Sequence, residues 1–287
     1  MELKETRHHE VSPPVALVRF REGLYATIRR GISLAGGLVR AHSPVLIKPN
    51  ICTIDDETGF SVTDIEVVRT VIRLLLEADS TTSVRVVESD SQSKFAVEAF
   101  HKFGYTQMFN EFQMNGYDVD LIDLSRQPLI KVELDGEYFR ELELHEILTE
   151  PHLLVSVAVA KTHCLTSITG AVKNLFGLLP RKDKSFYHSQ IDDVIVDLVQ
   201  FIRPQLSIVD ARVGIEGWNG PRIERIGAFI VGRDPVGVDA VLSRLLGFDP
   251  QQSSHLVRCS ERGLGTLTPA LVGNPLDALS IRLSTSE

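Results

Sequence analysis

Seven short runs of β-branched and other apolar residues recur along the chain, separated by segments whose apolar residues recur every three to four positions. The runs are VALVRF (15–20), VLIKPN (45–50), VRVVES (84–89), VDLIDL (119–124), LLVSVAVAKT (153–162), LSIVDAR (206–212) and GAFIVGRD (227–234). Strands that alternate with helices are typical of α/β proteins. Several runs are apolar at consecutive positions, as in strands covered on both faces. The sequence therefore predicts a mixed, mostly parallel sheet with helices on both faces.

Two of the intervening helices carry recognisable start signals. Residues 63–79 hold an apolar stripe, with Thr63 as the expected N-cap and Glu66 completing a capping box. Asp234 followed by Pro235 predicts the start of another helix, because aspartate caps helices and proline suits their first position.

The domain organisation is read from the same patterns. Residues 125–150 alternate differently from the rest and predict a small antiparallel excursion. Residues 1–14 are expected to be a flexible tail. Residues 15–287 are expected to form a single α/β domain, with two lobes as the alternative, since no composition shift marks a linker.

Composition and charge exclude several classes of protein. A formal net charge of −8 argues against a general nucleic-acid binder. The longest apolar run, residues 153–160, is far shorter than the ~20 residues that a membrane helix needs. The N-terminus has no apolar signal-peptide core, and the three cysteines form no closely spaced ligand pair. We therefore expect a cytoplasmic protein that binds neither nucleic acid nor membranes, and the sequence leaves a homo-oligomer open.

Polar side chains follow five of the predicted strands. They are Lys48, Asn50, Glu88, Ser89, Asp90, Lys161, Thr162, His163, Asp210 and Asp234. Open α/β sheets bind ligands outside the carboxyl ends of their strands. The sequence therefore predicts a polar cleft at this edge, with Lys48, Asn50 and Glu88 among the substrate-binding residues.

The segment 161–188 is strongly basic, with five lysines and arginines against one aspartate. Small and hydroxyl residues precede its helical run 171–178, and free backbone N–H groups at that helix N-terminus would suit a carboxylate or phosphate. Lys161, Lys173 and Asn174 are predicted to bind the same anion. The segment lacks the G-x-x-x-x-G-K-[ST] pattern of a nucleotide P-loop. A basic surface loop beside an unrelated helix is the alternative.

Histidines and carboxylates supply the predicted catalytic groups. Neighbouring lysines would lower the pKa of His163 or His188, so that either could serve as a neutral general base. Glu216 or Asp239 is predicted as the opposing acid or the orienting partner. Two histidines and two acids could instead hold a divalent metal, although no H-E-x-x-H spacing is present. The sequence thus assigns no metal ligands and predicts no definite cofactor.

Five motifs carry a resemblance to a known family: VLIKPN, TD-x-x-VVR, VAKTHCLTSITGAVKNLFGLLP, IVDARVGIEGWNGP and GRDPVGVDAV. Over residues 45–265 the chain resembles the family called domain of unknown function 362. The resemblance implies an α/β fold and emphasises Lys48, Asn50, Lys161, His163, Lys173, Asn174, His188, Glu216 and Asp239. Many relatives carry a ferredoxin-like extension with C-x-x-C-x-x-C motifs, which this chain lacks. Ala211 also replaces the usual glycine after IVD.

The leading hypothesis is an enzyme that acts on a small anionic metabolite by proton transfer, such as an isomerisation, elimination or cyclisation. Lys48, Lys161 and Lys173 would hold carboxylate or phosphate oxygens and stabilise a developing oxyanion. One alternative is a metal- or iron–sulfur-dependent redox protein, with a cluster between subunits using Cys52 or Cys164. The other is a non-catalytic module that binds an anionic metabolite. No G-x-G-x-x-G follows a predicted strand, which argues against a dinucleotide-dependent dehydrogenase.

Overall fold

A computed structural model describes residues 12–38, 44–56, 58–220 and 222–285. The strands are β1 (Val15–Arg19), β2 (Val45–Pro49), β3 (Val84–Glu88), β4 (Val119–Asp123), β5 (Leu129–Glu133), β6 (Glu141–His145), β7 (Leu153–His163), β8 (Ser167–Thr169), β9 (Leu206–Ile215), β10 (Ile223–Gly232) and β11 (Leu271–Gly273). The helices are α1 (Leu24–Leu34), α2 (Ile65–Ala78), α3 (Ala96–Lys102), α4 (Tyr105–Met114), α5 (Ala171–Asn174), α6 (Ile191–Phe201), α7 (Pro235–Leu245) and α8 (Ser254–Glu261). All seven apolar runs form strands. The predicted tail lies outside the described residues except for 12–14.

Nine of the described strands form one mixed sheet in the order β11-β1-β10-β9-β7-β2-β3-β4, with β8 paired to β7. The neighbours β9, β7, β2, β3 and β4 run parallel, whereas β10 is antiparallel to both β9 and β1. The predicted mixed, mostly parallel sheet is therefore confirmed. β5 and β6 pair antiparallel to each other in a separate two-stranded sheet within the segment 125–150.

Helices cover both faces of the large sheet, as predicted. Successive side chains of a strand point to opposite faces, and Leu46 and Ile47 of β2 show this directly. Leu46 packs in the hydrophobic core beneath α5, α6, α7 and α8, whereas Ile47 packs in the core beneath α1, α2, α3 and α4. Both residues are fully buried. The central strands are mostly apolar up to their carboxyl ends, because each of their faces meets a helical layer.

The sequence predicts the N-caps of two helices, and the structure confirms one of them. The N-cap of α2 is Asp64, whose carboxylate accepts the N–H of Glu66, so the predicted cap at Thr63 is wrong. The Thr63 hydroxyl instead donates to Val157 O at 2.8 Å and accepts the Asn50 N–H at 2.7 Å. Thr63 thereby ties the end of β2 to β7. The second prediction is confirmed, because Asp234 caps α7.

The described helices are short. The longest is α2 with 14 residues. Within the described ranges, no helix is both long and apolar enough to cross a lipid bilayer.

Candidate active site

A cavity of about 240 Å³ lies at the carboxyl ends of β2, β3 and β7, the edge at which the sequence predicts a polar cleft. Seven of the ten predicted site residues line it together: Lys48, Asn50, Glu88, Lys161, His163, Lys173 and Asn174. Parallel strands bring residues from distant parts of the sequence to one edge of the sheet.

The cavity is strongly positive. Its lysines are Lys48, Lys94, Lys161, Lys173 and Lys184. Among the described residues that line it, Glu88 is the one carboxylate. Such an excess of positive charge in a partly enclosed space attracts anions, because the surrounding protein screens the charges less than bulk water does.

Glu88 neutralises the deepest part of the cavity. Lys48 Nζ donates to Glu88 Oε2 at 2.8 Å, and Lys94 Nζ lies 3.4 Å from Glu88 Oε1. Burial alone would raise the pKa of the Glu88 carboxyl, but the charges of Lys48 and Lys94 outweigh burial and lower that pKa. Burial lowers the pKa of Lys48, and the charge of Glu88 offsets this shift only in part. The three side chains thus form a buried ionic cluster at the base of the site.

Lys161 is held by acceptors from three parts of the chain. Its Nζ donates to Ser61 O at 2.9 Å, to Asn50 Oδ1 at 3.2 Å and to Trp218 O at 3.4 Å, and Cys52 Sγ lies at 3.2 Å. The Asn50 side-chain amide donates in turn to Asn174 Oδ1 at 3.3 Å. This network connects β2, β7 and α5, so Lys161 contributes positive charge from a fixed position.

Lys184 reaches the cavity from the 3₁₀ turn Lys184–Gln190. Its Nζ donates to Ser89 Oγ at 3.0 Å and to Asp90 O at 2.7 Å. Burial lowers the pKa of Lys184 to about 8. An ammonium group has three N–H donors, so one donor of Lys184 has no acceptor among the described residues.

Lys173 differs from the other cavity lysines. Its ammonium has no hydrogen-bond or ion-pair partner among the described residues, and Nζ lies 5.7 Å from the centroid of the Phe176 ring. Burial, followed by the charge of Lys161, lowers the pKa of Lys173 to about 8. A substantial fraction of Lys173 is therefore the neutral amine near pH 8.

His163 is neutral at physiological pH, in a defined tautomer. Its Nδ1 accepts the backbone N–H of Leu165 at 3.1 Å, which places the ring proton on Nε2. Burial, followed by the charge of Lys173, lowers its pKa to about 3. With Nδ1 already occupied as an acceptor, the Nε2–H remains a hydrogen-bond donor that no described residue accepts. This geometry suits the stabilisation of an oxyanion better than the general-base role expected from the sequence.

His188 lies outside the cavity lining, on the same 3₁₀ turn as Lys184, with an exposed side chain. Partial burial and the charge of Lys173 lower the pKa of His188. The charge of His188 acts in turn on His163. The structure therefore places His188 beside the cavity residues rather than among them.

Asp239 occupies the helix N-terminus at which the sequence predicts the substrate anion. Its two carboxylate oxygens accept the N–H groups of Ala171 at 2.6 Å and Val172 at 3.0 Å. Asp239 is fully buried, and burial raises its pKa to about 7. A side chain at Gly170 would place its Cβ 2.2 Å from Asp239 Oδ1. The prediction of free N–H groups here is wrong, because the protein's own carboxylate binds them.

Glu216 is likewise engaged elsewhere. It is buried, accepts the backbone N–H of Ser284 at 2.8 Å and lies 3.7 Å from a guanidinium nitrogen of Arg222. Neither Glu216 nor Asp239 belongs to the described cavity lining. The structure therefore does not bring the two predicted carboxylates together with His163 and the lysines.

Three cavity features are not predicted from the sequence. Lys94 follows the end of β3 by six residues and carries no motif that distinguishes it from a surface lysine. Lys184 is recognisable in the sequence only as part of a basic segment. Gly177 leaves the space that Lys48 occupies, since a Cβ at Gly177 would lie 2.8 Å from Lys48 Cε. The sequence shows that Gly177 follows Phe176, but it does not show that the side chain next to Gly177 is that of Lys48.

The donor set does not resemble a metal site held by side chains. No group of three or more His, Cys, Asp or Glu residues in the described part of the chain lies close enough together to hold a metal ion. Cys52 is half-buried, Cys164 exposed and Cys259 buried, and all three are free thiols. Within the described part of this chain, side chains therefore assemble no ligand set for a metal ion, and a cluster between subunits stays an alternative prediction.

Comparison with known proteins finds one matching family and one similar protein. The family described as Domain of unknown function (DUF362) matches residues 45–244. A thylakoid-associated protein of Synechocystis is 27% identical over 245 residues, which cover 79% of this chain and 71% of that protein.

A solved structure shares the fold. It is the lactate racemase apoprotein from Thermoanaerobacterium thermosaccharolyticum, with a TM-score of 0.51 and 13% sequence identity. The match covers 84% of this chain but only 59% of the racemase chain. At this level of identity the likeness concerns the α/β fold alone.

Proposed function

The chain belongs to the DUF362 family, and we propose that it is an enzyme that transfers protons on a small anionic metabolite, a carboxylate or a phosphate. The reaction would be an isomerisation, elimination or cyclisation. The observation that carries the proposal is the cavity at the strand ends, where five lysines face one carboxylate and a neutral histidine.

The anion would be held by lysines that have a spare donor. Lys48 donates to Glu88 and to Pro49 O, and Lys184 donates to Ser89 and Asp90, which leaves one N–H of each ammonium for a ligand. Lys161 and Lys94 add positive charge. Ionic hydrogen bonds of this kind are stronger than neutral ones.

Charge that develops on a substrate oxygen would be stabilised by His163. Its neutral Nε2–H donates without carrying a competing positive charge, and its Nδ1 is already fixed by Leu165. We assign the proton acceptor to His188, whose ring centroid lies 6.4 Å from that of the cavity residue Phe176, at the side of the cavity. Partial burial and the charge of Lys173 lower its pKa, which favours the neutral ring that a general base needs. Glu216 and Asp239 have no part in this scheme, since both bind backbone N–H groups elsewhere.

Proton exchange in heavy water tests the proposal across a panel of candidate substrates. The protein is incubated in D₂O with 2-hydroxy acids, 2-oxo acids, dicarboxylates and phosphorylated hydroxy acids, and loss of the C–H signal beside the acid or carbonyl group is followed by NMR. We expect exchange in at least one compound, slowed ~100-fold or more in His163→Asn. His101→Asn is the matched control, because His101 is exposed on α3 and does not belong to the described lining.

Two results would contradict this function. Exchange that is unchanged in His163→Asn would remove the assigned role of that residue. Saturable binding of an anion without exchange of any proton would favour the non-catalytic binding module, which the same cavity also fits.

A further inference from the structure

We propose that Lys173 is a covalent catalytic residue whose amine forms an imine with the carbonyl carbon of a 2-oxo acid. This inference rests on the proposed function and narrows its substrate class to carboxylates that carry a neighbouring carbonyl group. Lys173 would attack the carbonyl carbon, whereas the other lysines of the cavity would hold the anionic group of the substrate.

Hydrogen bonding separates Lys173 from the other lysines of the cavity. Lys48, Lys94, Lys161 and Lys184 each bind at least two acceptors within the described residues. Lys173 lines the same cavity and binds none. A lysine that only supplied charge would be expected to have fixed acceptors like its neighbours, whereas a nucleophile needs a free lone pair.

The surroundings of Lys173 also favour a nucleophilic amine. Lys173 is half-buried beside the Phe176 ring, and the charge of Lys161 acts on it. Desolvation and a neighbouring cation are the two conditions that activate a lysine amine as a nucleophile. Both conditions lower its pKa, which is about 8.

The backbone that carries Lys173 is rigidly supported. Lys173 is the third residue of α5, whose first two N–H groups are bound by the buried Asp239. The next residue, Asn174, donates to Lys48 O at 3.0 Å and to Ser156 Oγ at 3.1 Å. The amine is therefore presented from a fixed backbone to a cavity in which Lys48 and Lys184 can hold the carboxylate.

The step balances without another reactant. The neutral amine attacks the carbonyl carbon, a C–N bond forms, and the carbonyl π electrons move to oxygen, where the Nε2–H of His163 stabilises the charge. The C–O bond then breaks. Overall, an ammonium and a carbonyl give an iminium and one water, which takes the oxygen and two of the three ammonium protons. The iminium acidifies the neighbouring C–H, from which His188 would take the proton.

Reductive trapping tests this inference. The full chain is incubated with pyruvate or 2-oxoglutarate and sodium cyanoborohydride, which reduces the iminium to a stable secondary amine, and the adduct is located by peptide mass spectrometry. Lactate and 2-hydroxyglutarate, which lack the carbonyl, serve as unreactive analogues whose binding is measured by calorimetry. The variants are K173R and K173M, with K182R as control because Lys182 is exposed in the same basic segment. Circular dichroism confirms that each variant is folded.

The expected result is one adduct per chain on the peptide containing Lys173, lost in K173R and K173M and retained in K182R. Binding of the hydroxy acids without any adduct from the oxo acids would overturn the imine and leave the proposed function standing. Comparable labelling of exposed lysines such as Lys131, or labelling that persists at the same yield in K173R, would also overturn it. If neither class of acid binds, the imine is overturned, and the proposed function then depends on the wider panel of the exchange experiment.

Discussion

Lys48 Nζ and Glu88 Oε2 are 2.8 Å apart, and each side chain is only 2% exposed. The pair lies at the base of the cavity, where Lys94 also contacts the same carboxylate. Removing one partner of a buried pair leaves an uncompensated charge, which costs far more than the pair contributes.

Glu88→Gln is therefore expected to lower the free energy of unfolding by about 3–5 kcal/mol, as measured by urea denaturation. The matched control is Asp135→Asn. It breaks the Arg140–Asp135 pair, which has the same 2.8 Å distance but side chains that are 75% and 97% exposed. That control should cost less than about 1 kcal/mol. Equal losses in the two variants would mean that burial of the pair has no energetic consequence.

Gly177→Ala tests whether the Lys48–Glu88 pair depends on the close approach of Lys48 to the backbone of Gly177. The added Cβ would lie 2.8 Å from Lys48 Cε and 2.9 Å from its Nζ, so Lys48 must move away from Glu88. We expect a loss of about 1–3 kcal/mol in the free energy of unfolding, together with weaker anion binding. Wild-type stability and affinity in this variant would show that the floor can relax freely.

Lys173→Met should make the protein more stable, although it removes a site residue. The folded-state pKa of Lys173 is about 8, below its ordinary value of 10.5, so the unfolded chain binds more protons between these values. Its charge thus destabilises the folded state fully below pH 8, and the penalty is relieved as the pH rises through both values. Because Lys173 is half-buried, we expect a gain of about 1–2 kcal/mol at neutral pH.

Urea unfolding of Lys173→Met at about pH 7 and about pH 10 measures this gain. Lys182→Met is the control, since Lys182 is exposed and contacts the Phe95 ring. A loss of stability in Lys173→Met, or a gain that grows toward alkaline pH, would contradict the prediction.

The buried ring of His145 makes the free energy of unfolding sensitive to acid. It is buried, neither ring nitrogen has a hydrogen-bond partner in the described structure, and burial lowers its pKa to about 4. Because this value is below the ordinary 6.5, the unfolded chain binds a proton at this histidine before the folded chain does as the pH falls. The contribution of neutral His145 to the free energy of unfolding is therefore fully present above pH 6.5 and is lost as the pH falls through 4.

His145→Leu should remove this contribution and flatten the decline in the free energy of unfolding between about pH 7 and about pH 4.5. It should also gain about 1 kcal/mol at neutral pH, because an unsatisfied buried polar group is replaced by an apolar one. His163, whose pKa is also lowered by burial, will retain its share of the acid sensitivity. An unchanged slope would show that His145 finds a partner in solution.

The strands and their covering layers could be predicted because the signal is local. The run 153–160 is apolar at every position except Ser156, and a strand between two helical layers buries both of its faces. The polar edge was predictable for the same reason, because the end of each predicted strand identifies the residues that lie at that edge.

The remaining features depend on contacts between distant segments. Asp239 caps the helix that begins at Ala171, 68 positions earlier in the chain, so no local pattern shows that the N–H groups are occupied. The tautomer of His163 depends on the turn that brings the Leu165 N–H to its ring. Lys173 and Lys161 look equivalent in the sequence. Only the packing shows that Lys161 has its acceptors and that Lys173 has none among the described residues.

The central claim is that the lysine-lined cavity binds a small anion through the spare donors of Lys48 and Lys184, and isothermal titration calorimetry tests it most directly. Wild-type protein, Lys184→Met and the exposed-site control Lys182→Met are titrated with a small panel of carboxylates and phosphates at low ionic strength. We predict one saturable site per chain, weakened at least ~10-fold in Lys184→Met, unchanged in Lys182→Met and weakened by added salt. Absence of saturable binding, or equal affinity in wild type and Lys184→Met, would contradict the claim.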